Sequence, residues 1–343
     1  MNFKTVYTND VDTLAFLNKD EYPLYFSKKY LDFEKQNGNE SVLFYAEDNT
    51  IIPCRIYTKF IFKFLKPYCP PYKNGKRLSI EDEHKFLNEW VKYLKKTNQF
   101  HRIIQSYTMD VFSSYPDNSV HSPFGQIYFD LEKYTEEELF NNFASRYKRY
   151  VREIETAGDA ISIKTDSAQL EVLFNLYESL HKSQNLYYDN YNYMSSMYKA
   201  LSPDNCTVTS IYYDGDIEGS LLVTHNEKEA YFLFGGAVYP TKSNGSIKYL
   251  HWEVVRKLKQ KNVKKAILGG YRLSDVKGTK LNGIQEFKIR FGAEVKKGFL
   301  WKMDLNPSMA KLYDNLIALQ AKIKGNKIQV DVIDYEKDRE VII

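Results

Sequence analysis

The sequence predicts an α/β protein of two modules, each a mixed β-sheet flanked by helices. Three observations support this fold class. An apolar strand, a polar loop, an amphipathic helix and a second apolar strand follow one another between Tyr231 and Leu268. A helix followed by a strand recurs in the first half, over residues 79–108. The length of 343 residues suits one large or two ordinary domains.

The central segment predicts a crossover unit with two parallel strands. The run YFLFGGAVYP, residues 231–240, is typical of a buried strand, and residues 263–268 predict the next one. Between them lies a helix whose apolar residues have helical spacing: Ile247, Leu250, Val254 and Leu258. Two strands of one sheet that are joined through a helix run parallel. A short helix follows, with one apolar face (Ile284, Phe287 and Phe291) and an end at Gly292.

The polar loop at residues 241–245 is a candidate anion site, because backbone N–H groups at a helix N-terminus attract negative charge. Gly245 permits close approach of the backbone, and Lys242 adds a positive charge. An ordinary helix start explains the same residues equally well, so both interpretations remain open.

The first half predicts further elements in order. Residues 1–30 suggest a short helix and a loop. Two strands, 41–47 and 51–60, flank a turn at Asp48-Asn49. Ser79 is a predicted N-cap of a helix that buries Leu87, Trp90, Val91 and Leu94, and the segment FHRIIQSYT then predicts a strand.

The second half begins with a strand at 124–131 and one long helix from Thr135 to Gly158, which has Glu138 in the capping-box position. Its basic flank offers contacts for phosphates, although a solvated helix face is the more frequent reason for such a flank: Arg146, Lys148, Arg149 and Arg152. Residues 166–185 predict another helix, and Asp214-Gly215 a hairpin turn. The tail after residue 307 predicts one more helix and a strand.

Composition narrows the function class. No apolar run approaches the roughly 20 residues of a membrane span, and no signal peptide precedes the first elements, so a cytoplasmic location is expected. Three cysteines are too few for a disulfide framework, and six histidines without ligand spacing predict no metal site. The net charge of +4 neither requires nor excludes an anionic partner such as tRNA or a nucleotide sugar.

Several segments resemble FemAB-type proteins, tandem-GNAT transferases related to the enzymes that build peptidoglycan cross-bridges. The segments YFLFGGAVYP, LHWEVVRKLKQKNVKKAILGG and GIQEFKIRFGAEV are similar to the second acyltransferase module of this family. Upstream, FGQIYFDLEKYTEEELFNNFASRYKRYVREIETAG and KPYCPPYKNG extend the resemblance from about residue 60 to 300, with Pro71 where glycine is common. The implied modules are 1–133, joined by 305–343, and 134–304.

The resemblance implies an active cleft around Lys288 and its neighbour Phe287 as catalytic residues. Glu286 and Asp275 are possible proton acceptors, although spacing selects neither. Tyr239, Tyr271 and Arg272 follow the two strand ends at which open parallel sheets bind ligands.

The resemblance also places substrate contacts in the first half. A lysine near its first helix is expected to hold the acceptor's phosphates, with Lys35 chosen here and Lys28 and Lys29 available. Tyr68 and Tyr72 lie in a segment with three interpretations: a substrate-facing loop, a half-buried strand with a rigid turn, or a membrane contact.

The implied activity is transfer of an acyl or aminoacyl group to a primary amine of a cell-envelope precursor, peptidoglycan or a surface glycan. No tightly bound cofactor or metal is expected. The donor is aminoacyl-tRNA or acyl-CoA, and aminoacyl-tRNA is slightly favoured because TKSNGSIKY keeps only one glycine of a typical acetyl-CoA loop. The missing tRNA-gripping arm, and the missing acceptor arginine after residue 185, favour the opposite choice.

Two alternatives remain open. One is an acyl-CoA-dependent N-acetyltransferase that acts on an amino sugar, and the other is a non-catalytic GNAT-fold binding module. The expected partners are a nucleotide- or lipid-linked sugar precursor, with tRNA and a peripheral contact with the inner membrane as further possibilities.

Overall fold

A computed structural model of the chain describes residues 1–7, 21–183, 188–325 and 330–342. The chain forms two compact units. Unit 1 comprises residues 1–126, 270–277 and 296–343, and unit 2 comprises residues 127–269 and 278–295. The predicted module boundaries, 1–133 with 305–343 and 134–304, stay a prediction, because compactness alone does not identify a repeated module.

The strands of the described residues are β1 (Phe3–Tyr7), β2 (Glu40–Ala46), β3 (Thr50–Lys59), β4 (Phe62–Pro67), β5 (Tyr72–Lys73), β6 (Lys76–Arg77), β7 (Arg102–Ile103), β8 (Val120–Asp130), β9 (Ile161–Lys164), β10 (Cys206–Tyr213), β11 (Asp216–His225), β12 (Glu229–Ala237), β13 (Lys265–Tyr271) and β14 (Glu294–Asp304). The helices are α1 (Lys28–Gln36), α2 (Ile80–Thr97), α3 (Glu136–Asn141), α4 (Ser145–Glu155), α5 (Gln169–Ser183), α6 (Tyr191–Leu201), α7 (Ser246–Gln260), α8 (Lys280–Ile289), α9 (Pro307–Lys324) and α10 (Val332–Glu336).

Unit 1 contains a mixed sheet with strand order β1-β2-β3-β4-β7-β14. Its neighbours are antiparallel except for β4 and β7, which run parallel. Helix α2 begins after Ser79, whose side chain accepts a hydrogen bond from the Asp82 amide, as the sequence predicts. The predicted apolar stripe of α2 is buried in the core of this unit: Leu87, Trp90, Val91 and Leu94.

Unit 2 contains strands in the order β13-β12-β11-β10-β9. β12 and β13 are parallel, as the crossover pattern predicts, and the other neighbours are antiparallel. The β10–β11 turn uses Asp214 and Gly215, both with positive φ. Helix α5 packs on β11 and β12, and helix α7 packs on β10, β11 and α4. The mixed α/β fold class predicted from the sequence is therefore confirmed.

The predicted single helix from Thr135 to Gly158 is wrong, because two helices, α3 and α4, replace it. The capping box of Thr135 and Glu138 is present at the start of α3. At the break, the Ala144 amide donates 2.8 Å to the Arg290 carbonyl, and Gly292 packs against Asn142. Contacts with the end of α8 thus interrupt a helical pattern that is continuous in sequence.

Three further predictions differ from the structure. The segment FHRIIQSYT forms only the two-residue strand β7, and helix α6 has no counterpart in the prediction. In the tail, for which one helix and a strand without stated bounds were predicted, residues 332–336 form the helix α10, capped by Asp331. Residues 326–329 of the tail lie outside the described residues, as do residues 8–20 of the predicted N-terminal helix and loop. None of the described helices combines the length and the apolar content that a membrane crossing requires.

Two glycines of unit 2 form a matched pair for a packing test. A Cβ added to Gly236 would lie 2.6 Å from Leu176 Cβ and 2.8 Å from the Tyr177 nitrogen, whereas a Cβ added to Gly283 in α8 meets no atom within 4 Å. We expect Gly236→Ala to lower the free energy of unfolding by about 1–3 kcal/mol, because α5 must move. We expect Gly283→Ala to raise it by about 0.5–1 kcal/mol. Urea unfolding of both variants measures this, and equal effects would contradict the close packing of α5 on β12.

Candidate active site

The two parallel strands of unit 2 diverge soon after they meet. β12 and β13 pair only from Glu229 to Tyr231 and from Lys265 to Ile267. Directly afterwards β12 contains a bulge, since Leu222 pairs with Phe234 and Val223 with Phe232, which leaves Leu233 as an extra residue. Bulges bend a strand and are frequent beside active sites. The bent end of β12 leaves a cavity of about 430 Å³ within unit 2.

The cavity is apolar almost throughout. Among the described residues that line it, only Ser220, His251 and Lys288 have polar side chains. The Ser220 hydroxyl is already engaged, because it accepts from Ser210 and donates to the Thr209 carbonyl. The remaining lining residues are apolar or glycine: Leu180, Leu221, Phe232, Phe234, Gly235, Gly236, Ala237, Ile247, Leu250, Leu268, Ile284 and Phe287.

Lys288 is an isolated cation in this apolar wall. Its side chain has no hydrogen-bond or ion-pair partner among the residues that the structure describes. Burial lowers the pKa of the Lys288 ammonium to about 8, so that about nine-tenths of the molecules still carry the charge at pH 7. A fixed positive charge in apolar surroundings stabilises a negative charge that develops nearby much more than it would in water.

Phe287 fixes the helix that carries Lys288. Its ring packs edge-on against Phe291 and His251, with centroid distances of 5.1 and 5.2 Å, and lies 5.9 Å from the ring of Tyr147. These contacts join α8 to α4 and α7. The predicted pair of Lys288 and Phe287 therefore lines one cavity, with Phe287 in a packing role.

His251 lines the same cavity, and the sequence prediction did not include it. Its Nδ1 lies 2.8 Å from the Ile247 carbonyl, which can only accept, so Nδ1 carries the proton. Burial lowers the pKa of His251 to about 4, and the charge of Lys288 acts in the same direction. The imidazole is therefore neutral at pH 7, with Nε2 as an acceptor. The available signal was a histidine within the apolar stripe of α7.

The loop before α7 holds a carboxylate of the protein itself. Glu218 is buried and accepts hydrogen bonds from the amides of Lys242 (2.9 Å) and Ser243 (3.2 Å). The Lys242 ammonium forms an ion pair with Asp216. A Cβ on Gly245 would lie 2.6 Å from the Tyr150 carbonyl oxygen, so close packing on α4 accounts for this glycine. These contacts weigh against an open anion-binding loop at Lys242 and Gly245.

The N-terminus of α7 has fewer hydrogen-bond partners among the described residues than the loop before it. No side chain caps this helix, and the Ser246 hydroxyl is buried without a hydrogen-bond partner in the described part of the chain. Three cations lie around the Tyr150 ring nearby, at 5.3 Å for both Arg146 and Lys248 and at 5.4 Å for Arg149. The predicted basic flank of α4 thus gains Lys248, a residue that the sequence interpretation left out.

The other predicted site residues of unit 1 have packing partners. Tyr68 and Tyr72 are buried, and the Tyr68 ring stacks on both Tyr25 and Tyr107. Arg272 pairs with the buried carboxylate of Glu336.

The three remaining predicted site residues are exposed or half-buried: Lys35, Tyr239 and Tyr271. Lys35 is exposed in the last turn of α1, and Tyr271 ends β13 half-buried. In unit 2, Tyr239 is 99% exposed after the end of β12. Among the described residues, no group of three or more His, Cys, Asp or Glu side chains is placed to hold a metal ion.

The unpaired charge of Lys288 is expected to lower the stability of the folded protein. We expect Lys288→Met to raise the free energy of unfolding at pH 7 by on the order of 1 kcal/mol, because it removes a cation from apolar surroundings. The folded pKa of Lys288, about 8, lies below its unfolded value of roughly 10.4. The unfolded chain therefore binds more protons between these values, and the advantage of the variant should shrink as pH rises from 8 to 10.4.

Urea unfolding from pH 7 to pH 10 measures this profile. Lys280→Met on the same helix is the control, since Lys280 is exposed and lies outside the cavity lining. A Lys288→Met variant that is no more stable than the wild type at pH 7 would contradict an isolated, half-buried ammonium in apolar surroundings.

The comparisons with known proteins identify the domain in which the cavity lies. Residues 141–288 match the family model of an acetyltransferase (GNAT) domain, and this segment contains every residue that lines the cavity. A crystal structure of FemX is 12% identical and covers 91% of this chain and 99% of its own, with a TM-score of 0.67. A conserved protein of unknown function from Bacteroides thetaiotaomicron is 10% identical and covers 88% and 99%, with a TM-score of 0.52.

A search of curated proteins found no match. At the low identities of the structural matches, the likeness shows the fold. The match of residues 141–288 to an acetyltransferase (GNAT) domain confirms the predicted acyltransferase, and the chain shares its fold with FemX.

Proposed function

We propose that this protein is an N-acyltransferase that transfers an acyl or aminoacyl group to a primary amine of a cell-envelope precursor, and that Lys288 is its catalytic cation. The observation that carries this proposal is the partnerless Lys288 ammonium in the apolar cavity beside the diverging strands. The acceptor class rests on the resemblance to FemAB-type proteins, and a cytoplasmic location stays a prediction from the sequence.

The geometry suits acyl transfer because this reaction builds negative charge on one oxygen. When an amine attacks an acyl carbonyl, the carbonyl oxygen becomes an oxyanion, and a cation preorganised in a low-dielectric site stabilises it. Lys288 is mostly protonated at pH 7 and has no competing partner among the described residues. We assign it to the oxyanion and not to the proton of the amine.

The neutral His251 suits a different role in the same cavity. With Nδ1 donating to the Ile247 carbonyl, Nε2 has a lone pair that can accept a hydrogen bond from an N–H group of the substrate. A pKa of about 4 makes it a weak base. His251 is therefore proposed to orient the attacking amine and not to deprotonate it.

We assign the donor phosphates to the start of α7 in unit 2. The start of α7 has no side-chain cap, and Arg146, Arg149 and Lys248 stand around Tyr150 beside it. Both coenzyme A and tRNA are polyanions, and this cluster supports either donor equally. The amino-sugar N-acetyltransferase alternative thus differs from the main proposal in its donor and acceptor and keeps the same cavity.

A turnover assay on matched lysine variants tests the proposal. Wild type, Lys288→Met and Lys280→Met are each combined with acetyl-CoA or alanyl-tRNA as donor. The acceptors are a nucleotide-linked muramyl peptide and glucosamine, and amide formation is followed by mass spectrometry. We expect Lys288→Met to lower kcat by about 10²–10³-fold, since it removes the oxyanion's cation. Its melting temperature should not fall, and Lys280→Met should keep the wild-type rate.

Two results would overturn the proposal. Full turnover in Lys288→Met would remove Lys288 from the chemistry. No turnover by the wild type with any of the four donor–acceptor pairs would instead favour the non-catalytic binding module.

A further inference from the structure

The hairpin of β3 and β4 in unit 1 presents two large apolar side chains to solvent. Phe60 and Ile61 form the turn between the two strands and are 64% and 70% exposed. Polar residues and glycine are usual in such a turn. Phe60 also has a φ of +56°, a backbone conformation that bulky residues rarely adopt. The turn therefore combines strain with apolar exposure, and a partner that buries both side chains would offset these costs.

Helix α9, also in unit 1, has an apolar stripe that is exposed along its length. Of the 18 residues of this helix, only Ala310 is fully buried. The stripe consists of four residues on one helix face, each between 40% and 76% exposed: Leu312, Leu316, Leu319 and Ile323. One exposed leucine is ordinary on a protein surface, but a continuous row of four large apolar side chains is typical of an interaction surface.

Helix α9 packs beside the hairpin. The Tyr313 ring lies edge-on to the rings of Phe62 and Phe64, two buried residues of β4, with centroid distances of 5.2 and 4.7 Å. Phe62 directly follows the exposed turn in sequence. The turn and the stripe therefore belong to neighbouring elements of one unit. We call Phe60, Ile61 and the four stripe residues together the apolar surface.

The unpaired charges on these two elements are positive. Five lysines that are exposed or half-buried form no ion pair with another described residue: Lys59 and Lys63 on the hairpin, and Lys311, Lys322 and Lys324 on α9. Residues 57–63 include no carboxylate, and Asp314 is the one carboxylate of α9. Arg102 donates two hydrogen bonds to Asp314, of 2.8 and 2.7 Å. An occupant of the apolar surface therefore meets lysines without competing carboxylates from these elements.

A second copy of the chain would match this charge pattern poorly. If two α9 helices packed antiparallel about the centre of the stripe, Lys311 of one helix would lie opposite Lys324 of the other. In a parallel pair each lysine would lie opposite its own copy, and like charges at such positions destabilise a helix pair. An anionic lipid surface complements both features, because apolar side chains enter the headgroup region while lysine side chains reach the phosphates.

We propose that the apolar surface of unit 1 docks the protein on the anionic face of a lipid bilayer. Phe60, Ile61 and the stripe of α9 enter the interface, and the five lysines bind the headgroups. This contact differs from the one considered for Tyr68 and Tyr72 in the sequence, because both tyrosines are buried. The inference does not rest on the proposed acyltransferase function, since no residue of this surface lines the cavity of unit 2.

Co-sedimentation of the whole protein with lipid vesicles tests the proposal. The vesicles contain either equal parts of phosphatidylglycerol and phosphatidylcholine or phosphatidylcholine alone. We expect saturable binding to the anionic vesicles, at least about tenfold tighter than to the neutral ones, because the lysines are attracted to anionic headgroups. Added salt should weaken this binding, since it screens exposed charges.

Three double variants locate the contact. Phe60→Asn/Ile61→Ser gives the turn polar side chains, and asparagine tolerates a positive φ. Leu319→Gln/Ile323→Gln removes half of the stripe and keeps a good helix former. Each should lower the affinity for anionic vesicles at least about tenfold, because large apolar side chains no longer become buried. Lys322→Gln/Lys324→Gln should weaken binding to anionic vesicles and leave binding to neutral vesicles unchanged.

Ile80→Gln is the matched control. Ile80 is 65% exposed at the start of α2 in unit 1 and lies outside the apolar surface, so this variant should bind like the wild type. All of the substituted side chains are exposed, and melting temperatures should therefore stay close to that of the wild type.

Several results would overturn lipid docking. They are no binding to anionic vesicles, equal binding to both kinds of vesicle, and unchanged binding by the turn and stripe variants. Light scattering adds another: a wild-type dimer that dissociates in Leu319→Gln/Ile323→Gln would show that a second copy covers the stripe. Failure of vesicle binding would leave the acyltransferase proposal standing, and absence of turnover with soluble acceptors would leave the lipid surface standing.

Discussion

The proposed chemistry depends on one electrostatic constraint: the Lys288 ammonium lies in an apolar cavity without a counter-ion among the described residues. Such a group is costly in a folded protein, because burial disfavours the charged form and no carboxylate among the described residues offsets it. A protein can retain such a destabilising charge where the charge contributes to catalysis. In acyl transfer the cation stabilises the carbonyl oxygen, which becomes negative only when the amine attacks.

The cavity is formed by the separation of β12 from β13 and by the packing of α5 against β12. β12 and β13 pair over three residues each and then separate after the bulge at Leu233. Helix α5 closes one side, and it can approach β12 because Gly236 has no side chain. A cluster of aromatic rings joins α8 to α7 and α4, which fixes the backbone that carries Lys288. The lysine is therefore positioned by packing and not by a polar partner.

Much of the scaffold around this site is predictable from local pattern. The strand, loop, helix and strand from residue 231 to 268, the parallel pairing of the two strands and the helix start at Ser79 follow from periodicity and capping chemistry. The break between α3 and α4 was missed because its cause is a long-range contact with Arg290 and Gly292. Local propensity carries no information about such contacts.

The site itself was predictable only in part. Lys288 was selected by its resemblance to a family motif, since a lysine on a short helix is otherwise typical of a surface. Glu218 and His251 were missed because their roles depend on neighbours that are distant in sequence. The buried carboxylate of Glu218 accepts hydrogen bonds from two backbone amides of the loop before α7, the loop that the sequence analysis considered as an anion site. Burial likewise gives Tyr68 and Tyr72 a packing role that an alternating basic and aromatic pattern does not reveal.

The most direct test of the account is the pKa of Lys288 itself. We would label the protein with lysine carrying ¹³C at Cε and follow each resonance by NMR between pH 6 and pH 11, with Lys288→Met to assign the signal. We predict that the Lys288 resonance titrates near a pKa of about 8, well below the value of roughly 10.4 for lysine in model peptides. A Lys288 resonance that titrates with the exposed lysines would show a solvated or paired ammonium, and would contradict the isolated cation on which the proposed chemistry rests.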